Sequence, residues 1–227
     1  MRIGGFEKST LIDYPEKIAC IIYTIGCNFH CPYCHNPELV DETAEEIPLE
    51  SIIRFLRKRK KMLDGVVITG GEPTMHDDLP KVMYRIKKMG YLIKLDTNGT
   101  RPAMIKNLIN RKLVDYIAMD IKSPLDKYSQ TVGRPVFADA IRQSIKIIMN
   151  SPVEYEFRTT VVKSLLSPED IIGIVKEIKG ASRYYLQKFN DRKILNQQFK
   201  NKLNYNDDEF KNFKKKIQKY VKICEIR

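Results

Sequence analysis

Three of the five cysteines crowd into one short stretch, Gly26-Cys27-Asn28-Phe29-His30-Cys31-Pro32-Tyr33-Cys34-His35-Asn36-Pro37, with the spacing Cys-x3-Cys-x2-Cys. Three thiolates this close can grip one inorganic unit, whereas an odd cysteine count is a poor disulfide framework and points to reducing conditions. Two chemistries are open. A structural zinc site is closed by four protein ligands, and His30 or His35 would complete it, leaving a binding module without catalysis. A [4Fe–4S] cluster on three thiolates instead leaves one iron open, as a catalytic metal keeps a position for substrate. Cys20, inside an apolar run, and Cys224, near the C-terminus, read as small buried hydrophobes, so no auxiliary cluster is expected.

The elements that must position these thiols can be read from periodicity. Residues 18–25, an apolar and β-branched run, predict a buried strand that leads directly into the cysteine loop. Leu49, Ile52, Ile53, Leu56 and Met62 recur at helical spacing behind Pro48. Further strands are expected near residues 66–69, 91–95, 116–121, 154–162 and 184–189. Helices between them start at Asp77-Asp78, Arg101-Pro102 and Ser167-Pro168-Glu169-Asp170, the last with the composition of an N-cap and acidic first turn. A last helix over about 207–220 and a short segment at 223–226 close the chain.

Strand and helix units of about 30 residues predict an α/β chain with a parallel sheet, and 227 residues fall short of the roughly 250 of an eight-unit barrel. The expected fold is a partial (β/α)6 TIM-like barrel, forming a single domain over residues 1–227. Its core would span about 15–190, with a C-terminal helical extension at 191–227. In such a barrel the strand C-termini share one face. Four polar motifs follow those ends: the cysteine loop, Gly70-Gly71-Glu72-Pro73, Asp96-Thr97-Asn98-Gly99 and Asp120-Ile121-Lys122.

Composition narrows the class further. With 43% hydrophobic and 30% charged residues the chain is of ordinary globular type, and no apolar run reaches the roughly 18 residues of a membrane span. The N-terminus has no secretory h-region, so a cytoplasmic location is expected. A net charge of +12 suits acidic partners or anionic substrates without choosing between them. The basic stretches Arg57–Lys61 and 211–222 read as solvated helix faces, and no recognisable RNA-binding module is present, so nucleic acid is not the expected partner.

The cysteine loop with Tyr33 before its last cysteine, Gly70-Gly71-Glu72 after the next strand, and the partial barrel together resemble the radical S-adenosylmethionine enzymes. Within that superfamily the chain is similar to the activating enzymes of glycyl-radical proteins, and most to those of anaerobic ribonucleoside-triphosphate reductases. The resemblance covers about residues 4–190 and is carried also by residues 5–15, Cys34-His35-Asn36-Pro37-Glu38-Leu39, Asp96-Thr97-Asn98-Gly99 and Asp120-Ile121-Lys122. It implies one [4Fe–4S] cluster on Cys27, Cys31 and Cys34, whose open iron chelates the amino and carboxylate groups of S-adenosylmethionine. An electron from the reduced cluster then splits the sulfonium to methionine and a 5′-deoxyadenosyl radical. The radical would abstract hydrogen from a glycine of the partner, expected to be the anaerobic ribonucleotide reductase. A low-potential donor such as flavodoxin or ferredoxin is also implied.

The resemblance assigns further residues. Tyr33 would border the adenine, although a tyrosine packed for loop stability reads equally well. Gly70, Gly71 and Glu72 would meet the methionyl ammonium, where a plain turn is the alternative. Asp96, Thr97 and Asp120 would line the cofactor and hold a monovalent cation beside its carboxylate, unless the first serves only the Asn98-Gly99 turn. Lys122 and Arg158, if strand phase holds, face the same cavity, with surface ion pairing as the alternative. Some relatives carry a histidine after strand six, where this chain has Leu186-Gln187-Lys188-Phe189-Asn190. A rival within the same chemistry is a radical enzyme acting on a small molecule or RNA, for example a deazaguanine-forming synthase.

Overall fold

The computed structural model describes residues 1–191, 193–199 and 204–227. One eight-stranded sheet runs in chain order: β1 (Ile3–Thr10), β2 (Ala19–Thr24), β3 (Gly65–Gly70), β4 (Leu92–Thr97), β5 (Tyr116–Asp120), β6 (Glu154–Val161), β7 (Arg183–Lys188) and β8 (Ile223–Ile226). Strands β2 to β8 are mutually parallel, and β1 pairs antiparallel with β2. Between them lie α1 (Pro37–Val40), α2 (Leu49–Arg59), α3 (Leu79–Lys88), α4 (Pro102–Asn110), α5 (Tyr128–Val132), α6 (Ala138–Met149), α7 (Pro168–Glu177) and α8 (Asp207–Ile217). Right-handed crossovers that always advance to the next strand put the helices on one face, and strand twist curls such a sheet into a partial barrel. No helix among the described residues is long and apolar enough to cross a membrane.

The main core lies between sheet and helices. Val66 and Ile68 of β3, Leu56 of α2, and Val82, Met83 and Ile86 of α3 are all within it, each almost fully buried. Alternation along the strands sends the other side chains into the barrel, where a smaller cluster of Tyr14, Ala19, Ile21, Val67, Tyr116 and Ala118 fills the interior. Helix α7 starts on the predicted cap: Ser167 Oγ accepts from the Asp170 amide at 3.2 Å while the Asp170 carboxylate accepts from the Ser167 amide at 2.9 Å.

The six expected strand and helix units correspond to β2 through β7, and two more strands extend the sheet. Strand β1 carries Gly4-Gly5 and no apolar alternation, so it has no strand signature of its own; its pairing with β2, interrupted by register shifts, holds it extended. The segment expected as a helical extension holds α8 but ends in β8, which adds to the open edge of β7 and buries Cys224.

Candidate active site

All twelve candidate residues line one cavity of about 400 Å³ at the C-terminal ends of the strands: Cys27, Cys31, Tyr33, Cys34, Gly70, Gly71, Glu72, Asp96, Thr97, Asp120, Lys122 and Arg158. Asp13, Phe29, Thr160 and Gln187 also border it.

The cysteine loop is held from several sides by its backbone. The His30 amide donates to the Val132 carbonyl of α5 at 2.9 Å, and the Gly26 amide donates to the Leu39 carbonyl at 2.8 Å. The carbonyls of Cys34 and Pro32 accept from the Leu195 and Asn196 amides, both at 2.9 Å, so residues beyond β7 clasp the loop as well. The end of β3 presses on its start: Gly71 sits so close to Gly26 that a Cβ there would lie 2.0 Å from the Gly26 carbonyl oxygen. Gly70 has φ +109° and would bring a Cβ within 2.4 Å of the Thr24 nitrogen. Both glycines therefore serve a close approach, Gly70 to the end of β2 and Gly71 to the start of the cysteine loop.

Glu72, expected as a cofactor contact, borders the cavity with its carboxylate bonded within the protein. It is 1% exposed, and its carboxylate accepts from the Thr74 amide (3.0 Å), the Thr74 hydroxyl, the Thr97 hydroxyl (2.7 Å) and the Asn98 amide (2.6 Å). Its oxygens tie the loop after β3 to the loop after β4, with burial raising its pKa against those hydrogen bonds. Asn98 continues the tie by donating to Asn28 at 2.8 Å, and Asn28 donates to Thr100 at 2.8 Å. The Asx pattern Asp96-Thr97-Asn98-Gly99 signalled a turn; nothing local signalled its bond to Asn28, which is 70 residues distant.

The opposite wall is ionic. Asp120 and Arg158 are register partners on β5 and β6, and Arg158 Nε donates to Asp120 Oδ1 at 2.8 Å. Arg158 Nη1 reaches Asp96 on β4 at 3.1 Å, Lys122 Nζ donates to Asp120 Oδ2 at 2.9 Å, and Lys94 pairs with Asp96. Burial would raise the Asp120 pKa, but Arg158 and Lys122 outweigh it and hold this carboxyl well below the usual carboxylate range. Arg158 and Lys94 likewise outweigh burial at Asp96 and lower its pKa. Surface pairing does not describe Lys122 and Arg158, whose side chains are only 15% and 13% exposed. Lys94, 2% exposed in mid-strand, was hidden in sequence within an apolar run.

The donor set fits an iron–sulfur cluster better than zinc. His30 faces Asp41 at 3.4 Å, and His35 contacts the Lys193 carbonyl and stacks on Phe189, so neither closes a four-ligand site. Among the described residues no group of three or more His, Cys, Asp or Glu is gathered for one metal ion; cluster thiolates each bond a different iron and stand further apart. Burial pushes the Cys27 thiol up to about 12 and the Cys31 thiol up to about 11, and raises Cys34, a cost that the charge of bound iron reverses. Tyr33, 4% exposed, has a hydroxyl without a hydrogen-bond partner among the described residues, an orphaned donor in the wall that a polar ligand would satisfy.

Residues 21–178 match the radical SAM superfamily model. The chain is a radical S-adenosylmethionine enzyme. It uses the [4Fe–4S] cluster and S-adenosylmethionine of that family. A Methanocaldococcus jannaschii protein whose name assigns it to the glycyl-radical enzyme activating enzymes is 34% identical over 99% of this chain and 95% of its own length. The pyruvate formate-lyase-activating enzyme of Clostridium pasteurianum is 27% identical over 97% of each. This radical SAM chain belongs with the glycyl-radical enzyme activating enzymes. Among solved structures, Streptococcus suis SuiB bound to S-adenosylmethionine superposes with a TM-score of 0.71 at 17% identity, covering 90% of this chain. The chain spans about half of SuiB's length, 49%, and the likeness concerns the fold.

Proposed function

We propose that this activating enzyme acts on an anaerobic ribonucleoside-triphosphate reductase, removing a hydrogen atom from a backbone glycine, in the cytoplasm and with flavodoxin or ferredoxin as electron donor. The observation that carries the reading is the division of one cavity into a thiol wall and a charge-paired wall. Cys27, Cys31 and Cys34 would hold the cluster, and Asp96, Thr97, Asp120, Lys122 and Arg158 would receive the charged amino-acid end of S-adenosylmethionine, with Tyr33 beside its base. When bound, the two together supply a 5′-deoxyadenosyl radical at the expense of one electron. Gly71 keeps the thiol loop against the end of β3 and Gly70 lets β3 end close to β2, while Glu72 fixes the neighbouring loops. The resemblance of residues 5–15 and of the Cys34 to Leu39 segment to the reductase activators supports this partner, and residues 1–227 would act as one unit to which it brings its glycine.

The test is anaerobic: reconstituted protein, S-adenosylmethionine, a reductant and the candidate reductase are mixed, and a glycyl-radical EPR doublet is sought. A doublet on the reductase, lost when its glycine is replaced by alanine, is the expected result. Cleavage of S-adenosylmethionine to methionine and 5′-deoxyadenosine with no radical on the reductase would overturn the choice of partner.

A further inference from the structure

Beneath Arg158 the barrel interior holds another anion. Glu156 lies two residues earlier on the same face of β6 and is fully buried. Its carboxylate accepts from the Tyr116 hydroxyl at 2.8 Å and from both terminal nitrogens of Arg227, Nη1 to Oε1 at 3.0 Å and Nη2 to Oε2 at 3.3 Å. The Arg227 guanidinium also lies 3.4 Å from the centre of the Tyr185 ring. Arg158 stands between two demands, since its Nη1 is 3.1 Å from Asp96 and 4.0 Å from Glu156.

We propose that Arg227 is a positioning residue for the pocket: its fork on Glu156 satisfies the buried anion, and so leaves Arg158 committed to Asp96 and Asp120. The inference rests on the reading that this ionic wall receives S-adenosylmethionine. A buried carboxylate that loses its partner takes the nearest remaining cation, because an unpaired charge in a low-dielectric interior is costly. Without Arg227 that cation is Arg158, and turning it toward Glu156 loosens its bond to Asp96 and draws its charge away from the cavity. A lysine at position 227 would restore the charge but not the two-pronged geometry. The main-chain pairing beyond β8 is indifferent to the change, since the Arg227 amide donates to the Leu186 carbonyl and an Arg227 main-chain oxygen accepts from the Lys188 amide, each at 2.8 Å.

Anaerobically reconstituted R227Q, R227K and E156Q/R227Q are compared with wild type for iron and sulfide content and, by equilibrium dialysis, for S-adenosylmethionine binding. R227Q should load its cluster normally yet bind S-adenosylmethionine about tenfold more weakly, the scale of one charge-assisted hydrogen bond. R227K should fall between it and wild type. E156Q/R227Q, which removes the competing anion, should recover binding to within about threefold, a coupling that independent structural damage would not produce. R227Q binding as tightly as wild type would overturn the proposal, as would a double variant no better than R227Q. Should R227Q fail to load iron, R227K and the double variant carry the same comparison. Wild-type protein that loads its cluster but binds no S-adenosylmethionine would instead defeat the underlying reading of the wall, a failure visible without any substitution.

Discussion

Gly71→Ala tests the contact on which the thiol loop depends. The added Cβ would meet the Gly26 carbonyl oxygen at 2.0 Å and its carbon at 2.7 Å, both backbone atoms that no rotamer change can move. Ordinary contact requires well over an ångström of separation between the end of β3 and the cysteine loop. That displacement acts on the bonds from the Glu72 amide to the Gly26 carbonyl and from the Gly71 amide to the Thr24 carbonyl, both 2.8 Å. Overpacking of this kind costs about 1–3 kcal/mol, and two weakened hydrogen bonds add about 1 kcal/mol each, for a total of about 3–5 kcal/mol. Urea denaturation of the reduced apo protein should therefore show a clearly lowered midpoint, and anaerobic reconstitution should load less iron per chain. Gly173→Ala is the control: its Cβ would rest 3.4 Å from Pro124 Cγ inside α7, and helix propensity should stabilise it by about 0.5–1 kcal/mol. A Gly71→Ala protein with the wild-type midpoint and full iron would refute the close-approach argument.

Cys31→Ala should abolish cluster loading, whereas Cys224→Ala, in a buried position on β8, should retain it at a stability cost of about 1 kcal/mol; equal iron loss in the two proteins would show the ligand assignment to be mistaken. Asp96 and Asp120 are held below the ordinary value of 3.8, so the stability they contribute is complete above 3.8 and is lost as pH falls through their lower folded-state values. The unfolding free energy of the apo protein should accordingly fall more steeply below about pH 4 than that of Asp120→Asn, and parallel curves would contradict the charge-pairing geometry. Ser167→Ala removes one half of the α7 capping box and should cost about 1 kcal/mol in urea denaturation while leaving iron content unchanged.

What could be read in the sequence was local. The Cys27 to Cys34 spacing, the β-branched runs of β2 and β3, and the Ser167 cap are each contained in a few residues, and strand order then follows from alternation. The placement of polar motifs after successive strands brought Gly70, Asp96 and Asp120 to one cavity without any knowledge of contacts. The partners of Glu72 were the opposite case, because two of its four donors, from Thr97 and Asn98, come from the end of β4 and the residue after it, and a carboxylate beside a glycine pair looks the same whether it meets a ligand or a neighbouring amide. Lys94 and Glu156 were invisible for a related reason: a charged residue within a strand shows its meaning only when the facing strands supply its partner.

The two walls of the cavity are made rigid by different means. Loop residues carry the thiols, and an eight-residue loop cannot place three sulfurs by side-chain packing alone, so its own peptide groups are tied to α5, to the end of β3 and to residues 195–196. Strand residues carry the charges, which need no loop scaffold because pleating already directs Asp96, Asp120 and Arg158 to one face. What the charges do need is mutual neutralisation, since none of them is well hydrated. Arg158 meets that need by reaching across β5 to join two carboxylates on different strands. This makes the ionic wall one coupled unit, so that any change in the partners of Arg158 is felt by both aspartates together. The thiol loop, fixed through backbone bonds of its own, can keep its shape while that happens. Cluster loading and binding of the charged cosubstrate are therefore separable by substitution.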